Sequence, residues 1–320
     1  MVMVRCSMLM SALKIAALAP FFSCAFAPPK INTRAPSAAT RPSLQHTELA
    51  SYLDSLASAR LAPAAPAVAA AAAAAASPGL HHAPLDYFAL DRLTFKGPRA
   101  APDWGTPSEW SRKLADDGTF RVGCWHCTEG GWSSPSGKAV TEVFYVLEGH
   151  GMLGDADGVK HYFGPGDVVV IPKGHTGRWD VLGDIHKLWA VNAHDNVEEK
   201  SPVIRVRVEH YKDFAGPCSE GTSATDPLYG STGGVASAST VLYDVGPTQV
   251  GVWTCEPGGF GVTRGERQWF LVLEGTLFVT DETGDSSKRC VAGDTVMLPA
   301  GWTGRVDVVT PVKKLFTVAK

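Results

Sequence analysis

From about residue 85 onward, apolar and polar residues alternate with a period of two over short stretches, and Gly and Pro separate these stretches. Such alternation is typical of strands that have one buried and one exposed face. Two segments, 168–171 and 295–298, contain four successive residues between Gly-Asp and Pro-x-Gly, as expected of a buried strand between two turns. The pattern therefore predicts an all-β chain of many short strands.

The same pattern occurs twice. Residues 143–149 (VFYVLEG) match 269–275 (WFLVLEG), and residues 166–174 (GDVVVIPKG) match 293–301 (GDTVMLPAG), at offsets of 126 and 127 residues. An offset that changes by only one residue is expected when short loop insertions separate two copies of one domain. The Leu-Glu-Gly segment of each copy is predicted to close a strand at a Gly that takes a positive φ. Short strands at this spacing favour a sandwich or a jelly-roll barrel in each copy.

The N-terminal segment differs in composition from the rest. The first 47 residues contain five Lys or Arg residues and no Asp or Glu. Residues 1–25 have two basic residues around the start of an apolar run, which predicts a signal peptide. Residues 26–84 begin with a stretch rich in Ser, Thr, Ala, Pro and Arg and continue into an Ala-rich run, so we predict a transit peptide and a linker.

The junction Ser23-Cys24-Ala25-Phe26-Ala27-Pro28 resembles the cleavage motif of proteins imported into the complex plastids of algae, where the chain is cut before a Phe. The resemblance implies a plastid protein, with the stroma favoured over the thylakoid lumen. A second, lumenal signal in 61–76 and a plain secretory signal are the alternatives.

Charge and cysteine content exclude several classes of protein. The net charge is −3 and no basic run occurs, which argues against a nucleic-acid-binding protein. No stretch of about 18 apolar residues predicts a membrane-spanning helix. Seven cysteines in 320 residues are too few for a disulfide scaffold. The sequence leaves a monomer and a homodimer open.

Residues 142–149 and 166–174, with 275 and 293–301 in the second copy, resemble the two motifs of the cupins. The Gly-x-Trp-x-Cys strand and the Lys-Leu strand of each copy are similar to the subgroup that contains (S)-ureidoglycine aminohydrolases and ethanolamine-utilisation cupins. The resemblance implies two tandem cupin-type jelly-roll β-barrels after a non-globular leader. We predict one barrel at 86–198 and the other at 203–320.

The resemblance also implies a metal site, in which two His, a Glu and a later His hold a divalent ion. The first copy keeps Glu142, but Ser136 and Lys138 stand at the His pair and Gly177 at the last His; a gap longer by one residue gives Pro135 and Gly137 instead.

In the second copy, Gln268 stands at the Glu position and Gly304 at the last His. Val262 and Arg264 stand at the His pair, with Gly261 and Thr263 as the alternative. A metal site needs three or four converging ligand atoms. We therefore predict no metal cofactor in either barrel.

The residues predicted to face the barrel interiors are candidates for binding a ligand: Lys138, Glu142, Trp179, Arg264 and Gln268. We expect Lys138 to reach Glu142 and lower the pKa of that carboxylate, which makes it a poor base and favours binding over catalysis. The first barrel should then prefer a zwitterion or an amide, and the second a carboxylate or phosphate. No catalytic residue is predicted.

Two other motifs predict packing rather than chemistry. Cys124 and Cys127 form a CxxC, but residues three apart in a strand face opposite sides. His175 follows the Pro-x-Gly turn and lies two residues before the position of the cupin ligand. We expect His175 to lie at the barrel mouth without a metal role.

Three functions are consistent with these observations. The first is a plastid bicupin with degenerate metal sites that binds a small polar metabolite. The second is a hydrolase of the ureidoglycine aminohydrolase type, acting on a carbon–nitrogen bond of a ureide. The third is a structural bicupin with no small-molecule role.

Overall fold

The computed structural model describes residues 77–194, 203–214, 225–226, 230–232 and 234–320. The predicted signal peptide, the transit peptide and nearly all of the Ala-rich run lie outside the described residues. The described residues belong to one compact unit, Ala72–Lys320. None of its described helices combines the length and the apolar character needed to cross a bilayer.

The first repeat contains ten strands and two short 3₁₀ helices. The strands are β1 (His81–Ala83), β2 (Thr94–Pro98), β3 (Trp104–Gly105), β4 (Ser108–Asp116), β5 (Phe120–Cys127), β6 (Gly130–Ser134), β7 (Thr141–Asp155), β8 (Lys160–Phe163), β9 (Asp167–Ile171) and β10 (Gly177–Asn192). The 3₁₀ helices are Leu85–Phe88 and Leu90–Arg92.

The second repeat contributes ten further strands and a 3₁₀ helix, Tyr211–Asp213. The strands are β11 (Arg207–His210), β12 (Thr225–Asp226), β13 (Gly230–Ser231), β14 (Ser237–Val245), β15 (Thr248–Cys255), β16 (Gly258–Thr263), β17 (Arg267–Asp281), β18 (Ser287–Val291), β19 (Thr295–Leu298) and β20 (Thr303–Ala319).

The two repeats have the same strand order. One sheet runs β11-β9-β7-β10-β5-β4-β2, and the other runs β1-β19-β17-β20-β15-β14. Further strands pair in the same way in both repeats. β6 pairs with the long strand β10, as β16 does with β20, and β8 pairs with the long strand β7, as β18 does with β17. The prediction of an all-β chain with two tandem cupin-type barrels is confirmed.

The long central strands correct one prediction. β7 does not end at Leu-Glu-Gly but continues through Gly149 to Asp155, and β17 likewise continues through Gly275. Both glycines take the predicted positive φ, 77° and 86°. A Cβ at Gly149 would lie 2.0 Å from the backbone oxygen of Asp184. The Gly therefore lets the strand bend against its neighbour rather than end.

Each repeat gives its first strand to the other repeat. β1 pairs with β19 of the second repeat, whereas β11 pairs with β9 of the first repeat. The predicted boundaries assigned 81–83 to the linker and 207–210 to the second barrel. The exchange places both segments in the sheet of the opposite repeat, because each one covers the edge of the buried strand there.

Three apolar clusters form the core. One lies inside the first barrel, around Phe144 and Trp179, and one inside the second, around Phe270 and Trp302. The third is built from both repeats and includes Trp269. It joins the two barrels through their outer sheet faces.

The CxxC motif is divided between these clusters. Cys124 lies in the cluster that joins the barrels, and Cys127 lies inside the first barrel. Both are free thiols, and burial raises the pKa of each to about 12. The prediction that the two cysteines face opposite sides of a strand is confirmed.

Candidate functional site

Three adjacent strands place polar side chains inside the first barrel. Glu142 on β7 pairs with Val191 on β10, and Lys187, four residues earlier on β10, pairs with Trp125 on β5. Paired residues of an antiparallel sheet point to the same face. All four side chains therefore point into the barrel interior.

Two ammonium groups hold the Glu142 carboxylate. Lys187 Nζ donates to Glu142 Oε1 at 2.8 Å, and Lys138 Nζ donates to Glu142 Oε2. Lys138 is fixed in the loop before β7, since its backbone N–H donates to His175 at 2.9 Å and its carbonyl accepts from Gly174 at 2.7 Å. The expected contact between Lys138 and Glu142 is present, and Lys187 is a second cation.

Burial and the ion pairs act in opposite directions on Glu142. Burial alone would raise the pKa of its carboxyl group, but the charges of Lys138 and Lys187 outweigh it and lower the pKa to about 2. For Lys187, burial is the largest effect and lowers the pKa of the ammonium group to about 8, while the charge of Glu142 opposes this shift. Glu142 is therefore an anion at neutral pH and a poor base.

Aromatic rings enclose the Lys187 ammonium group. Its Nζ lies 3.8 Å from the ring centroid of Phe144, 4.6 Å from that of Trp179 and 4.9 Å from that of Trp125. Trp179 in turn stacks on Trp132, with centroids 6.0 Å apart. These rings exclude water from one side of the amine and stabilise its positive charge.

The residues of this group line a cavity of about 380 Å³. Its walls carry five Lys or Arg side chains, and Glu142 is the single carboxylate among them. Two of the arginines are engaged elsewhere, because Arg99 binds Glu109 at 2.8 Å and Arg178 binds Asp180 at 2.7 Å. The cavity is thus lined by both positively charged and aromatic side chains.

His175 lies at the edge of this cavity and does not point toward Glu142. Its Nε2 lies 3.0 Å from Asp155 Oδ1, and burial lowers the pKa of the imidazole. In the second repeat, Trp302 occupies the equivalent place and donates to Asp281 at 2.6 Å. The structure thus places His175 in the wall of the cavity, buried and in contact with Asp155.

The second barrel has polar side chains at the same three positions, and two of the three differ in residue type from those of the first barrel. Arg264, Gln268 and Lys314 correspond to Lys138, Glu142 and Lys187, and all three are buried. Lys314 Nζ lies 4.1 Å from the ring centroid of Phe270 and 4.5 Å from that of Trp253.

The interior of the second barrel carries different side chains at this level. Trp302 is fully buried there, and Phe260 pairs with Val306 where the first barrel has Trp132 opposite Trp179. The cavity described above is lined by residues of the first repeat alone.

In the parts of the two barrels that the structure describes, the cupin ligand positions do not form a donor set that fits a divalent metal ion. In the first, both oxygens of Glu142 are bound by ammonium groups, which repel a cation. In the second, Val262 faces Gly304 across β16 and β20, and neither offers a ligand atom. A Cβ at Gly177 would lie 1.9 Å from a backbone oxygen of Gly154, so a His does not fit there without a shift of the strand. Among the described residues, no three His, Cys, Asp or Glu side chains cluster as a metal site.

The structure brings three of the five predicted residues into one cavity. Lys138, Glu142 and Trp179 line it together, whereas Arg264 and Gln268 are buried in the other barrel. Sequence reasoning missed Lys187 as a member of the site. The sequence did contain a signal for an inward-facing Lys187. The Lys-Leu pair occurs at the same place in both repeats, and the period-two pattern of the strand directs the Lys to the barrel interior.

The profile of the EutQ-like cupin domain matches two regions, residues 114–188 and 244–316. Each match lies in one repeat and covers its central strands. One match in each repeat supports a bicupin character for the chain. No curated protein matches the chain.

Solved structures share the fold at low sequence identity. A protein of unknown function from Pseudomonas syringae pv. tomato is 18% identical, with a TM-score of 0.54 over 76% of this chain and 100% of that one. A protein from Pseudomonas aeruginosa, named as glyoxylate-induced, is also 18% identical, with a TM-score of 0.53 over 80% of this chain and 95% of its own. A cupin 2 conserved barrel domain protein from Leptotrichia buccalis is 10% identical, with a TM-score of 0.50 over 71% and 98%.

Proposed function

We propose that this bicupin binds a small polar metabolite inside its first barrel. The observation that carries the proposal is a cavity of about 380 Å³ in which one carboxylate and two ammonium groups face aromatic walls. Small-molecule sites are concave, largely apolar and equipped with a few fixed polar groups. This cavity has those properties, and its polar groups are held in place by the ion pairs of Glu142.

Charge selects the ligand class. The sequence predicted a balanced Lys138–Glu142 pair and hence a zwitterion or an amide. Lys187 adds a second cation, so the group Lys138–Glu142–Lys187 carries a net positive charge at neutral pH. One unbalanced charge at about 4 Å favours an anionic group by about 4 kcal/mol at an effective dielectric near 20. The ligand is therefore a small anion.

Thermal unfolding with a panel of small carboxylates, ureides and sugar phosphates tests the proposal. A ligand at 100 times its dissociation constant adds about 2.7 kcal/mol, which raises Tm by roughly 5–10 °C for a domain pair of this size. The shift should disappear in Lys138→Ala and remain in Lys160→Ala, which removes an exposed lysine on β8. A panel without any shift, or an equal shift in Lys138→Ala, would contradict binding at this site.

The predicted leader supports a location in the plastid of an alga with a complex plastid. On this proposal, residues 1–25 direct the chain into the secretory route and the segment from Phe26 onward directs it through the inner plastid membranes. The bicupin then meets its ligand in the stroma.

A further inference from the structure

Lys187 has the surroundings of a reactive amine. It is 3% exposed, its Nζ is in contact with three aromatic rings, and it lines a cavity large enough for a small molecule. A second cation, Lys138, binds the same carboxylate. Lysines become nucleophilic when they are desolvated or lie beside another cationic group. Lys187 is buried against aromatic rings and shares Glu142 with Lys138, whereas its own ion pair with Glu142 favours the charged form.

Arg121 lies in the same row of the sheet as Glu142. Arg121 pairs with Val191, and Val191 pairs with Glu142, so two strand spacings separate their Cα atoms, about 10 Å. The Lys187 side chain reaches this row, because its Nζ touches Glu142. Arg121 also lines the cavity, and among the described residues its buried Nε has no hydrogen-bond partner.

The geometry points to Lys187 as a carbonyl-reactive amine that captures a small 2-oxo acid as a Schiff base, with Arg121 and Lys138 holding the carboxylate of that acid. This assignment rests on the proposed function only for the location of the ligand, and it adds a covalent step. The lone pair of the neutral Lys187 amine attacks the carbonyl carbon, and the C–O bond breaks. The oxygen leaves as water with both amine protons, and a C=N bond remains.

The charge state of the amine supports the step. Burial, helped by the charge of Lys138 and opposed by Glu142, lowers the pKa of Lys187 to about 8. At pH 7 about a tenth of such an amine is uncharged, against less than about a thousandth for an ordinary lysine with a pKa of about 10.4. The Lys138 ammonium group binds the same carboxylate as Lys187, so it can relay an amine proton of Lys187 to the departing oxygen.

Reductive trapping tests the inference on the full chain. The protein is incubated with pyruvate and sodium cyanoborohydride at pH 7, and the modified lysine is identified by peptide mass spectrometry. We expect a 1-carboxyethyl group on Lys187, formed at least about tenfold faster than on any exposed lysine. Lys314 has similar aromatic contacts in the second barrel and should stay unmodified, because it does not line the cavity.

Two comparisons separate the contributions of the site. Acetone has the carbonyl without the carboxylate, so it should label Lys187 more slowly than pyruvate does. Lactate has the carboxylate without the carbonyl, so it should protect Lys187 from pyruvate in the wild-type chain, a result that needs no variant. The labelling rate of Lys187 should level off above about pH 8, whereas that of exposed lysines continues to rise toward about pH 10.

Variants complete the test. Lys187→Met should lose the label and Lys160→Met should keep it. Labelling spread over exposed lysines without preference for Lys187 would overturn the inference. If lactate still shifts Tm in that case, binding in the cavity stands and only the covalent step is wrong. If neither lactate nor pyruvate shifts Tm or protects Lys187, the ligand site itself is wrong.

Discussion

At the scale of single residues, the buried Glu142 links stability to pH. The ion pairs lower its pKa from 4.5 to about 2 in the folded state. The folded chain therefore holds this carboxylate ionised at pH values where the unfolded chain protonates it. The stability that it contributes is complete above pH 4.5 and is lost as pH falls toward 2.

Glu142→Gln should lower the free energy of unfolding by about 3 kcal/mol at pH 7, because the change leaves the buried Lys187 ammonium group and the partly buried Lys138 ammonium group without their carboxylate. The difference from wild type should shrink as pH falls from 4.5 toward 2. Urea denaturation at a series of pH values measures it. Glu148→Gln removes an exposed carboxylate from the same strand and should have little effect at any pH. A pH-independent loss in Glu142→Gln would show that its charge is not the cause.

The residue pattern predicted part of this site. Counting along the cupin motif placed Lys138 and Glu142 side by side, and alternation from Gly177 placed Trp179 in the barrel. The period-two pattern directs Lys187 to the interior, but its contact with Glu142 could not be predicted, because that contact depends on the pairing between β7 and β10. That pairing shifts register between His186 and Lys187, which no local pattern shows.

At the scale of elements, the exchange of β1 and β11 ties the repeats together. Leu80, just before β1, packs on the core of the second barrel, and its backbone N–H donates to Asp281 at 3.3 Å. The matching residue before β11, Val206, donates to Asp155 of the first barrel at 3.2 Å. The sequence missed β1 because three residues, His81–Ala83, are too short to show a period, and their partner strand lies over 200 residues away.

A chain that starts at residue 85 should be less stable than one that starts at residue 77. The shorter chain loses the β1–β19 pairing, the contact of Leu80 and the contact of His82 with Asp294 at 3.2 Å. Together these amount to roughly 3 kcal/mol of unfolding free energy. Urea denaturation of the two chains measures the difference. Leu80→Ala should reproduce part of the loss in the longer chain, whereas Leu90→Ala, at an exposed side chain, should not. Equal stability of the two chains would mean that β1 contributes nothing.

At the scale of the whole molecule, two copies of one domain have kept their topology and diverged in their interiors. The cluster that contains Trp269 joins the barrels, and both repeats supply it. The residues of this cluster lie on the faces of the strands opposite to the barrel interiors. The interiors differ, because the first holds a charged cavity and the second has the fully buried Trp302 at the position of His175.

The C-terminal end of the predicted leader follows from where the folded unit begins. Ser77 Oγ accepts from the backbone N–H of Thr303 at 2.9 Å, so the folded unit includes Ser77. A cut at residue 84, the predicted limit of the leader, would remove both this contact and β1. We therefore expect all targeting information to lie in residues 1–76. The leader would then end before residue 84, the limit predicted from the sequence.

A fluorescent protein fused to residues 1–76 should reach the complex plastid as completely as one fused to 1–84, because residues 77–84 belong to the folded unit. Phe26→Asp should stop the fusion before the inner plastid membranes, since the plastid junction motif that this segment resembles has a Phe directly after the cut. Phe26→Trp keeps the aromatic ring and serves as the matched control. Microscopy of algal cells gives the location. Fluorescence in the cytosol would contradict the signal peptide, and fluorescence in the medium would favour the secretory alternative.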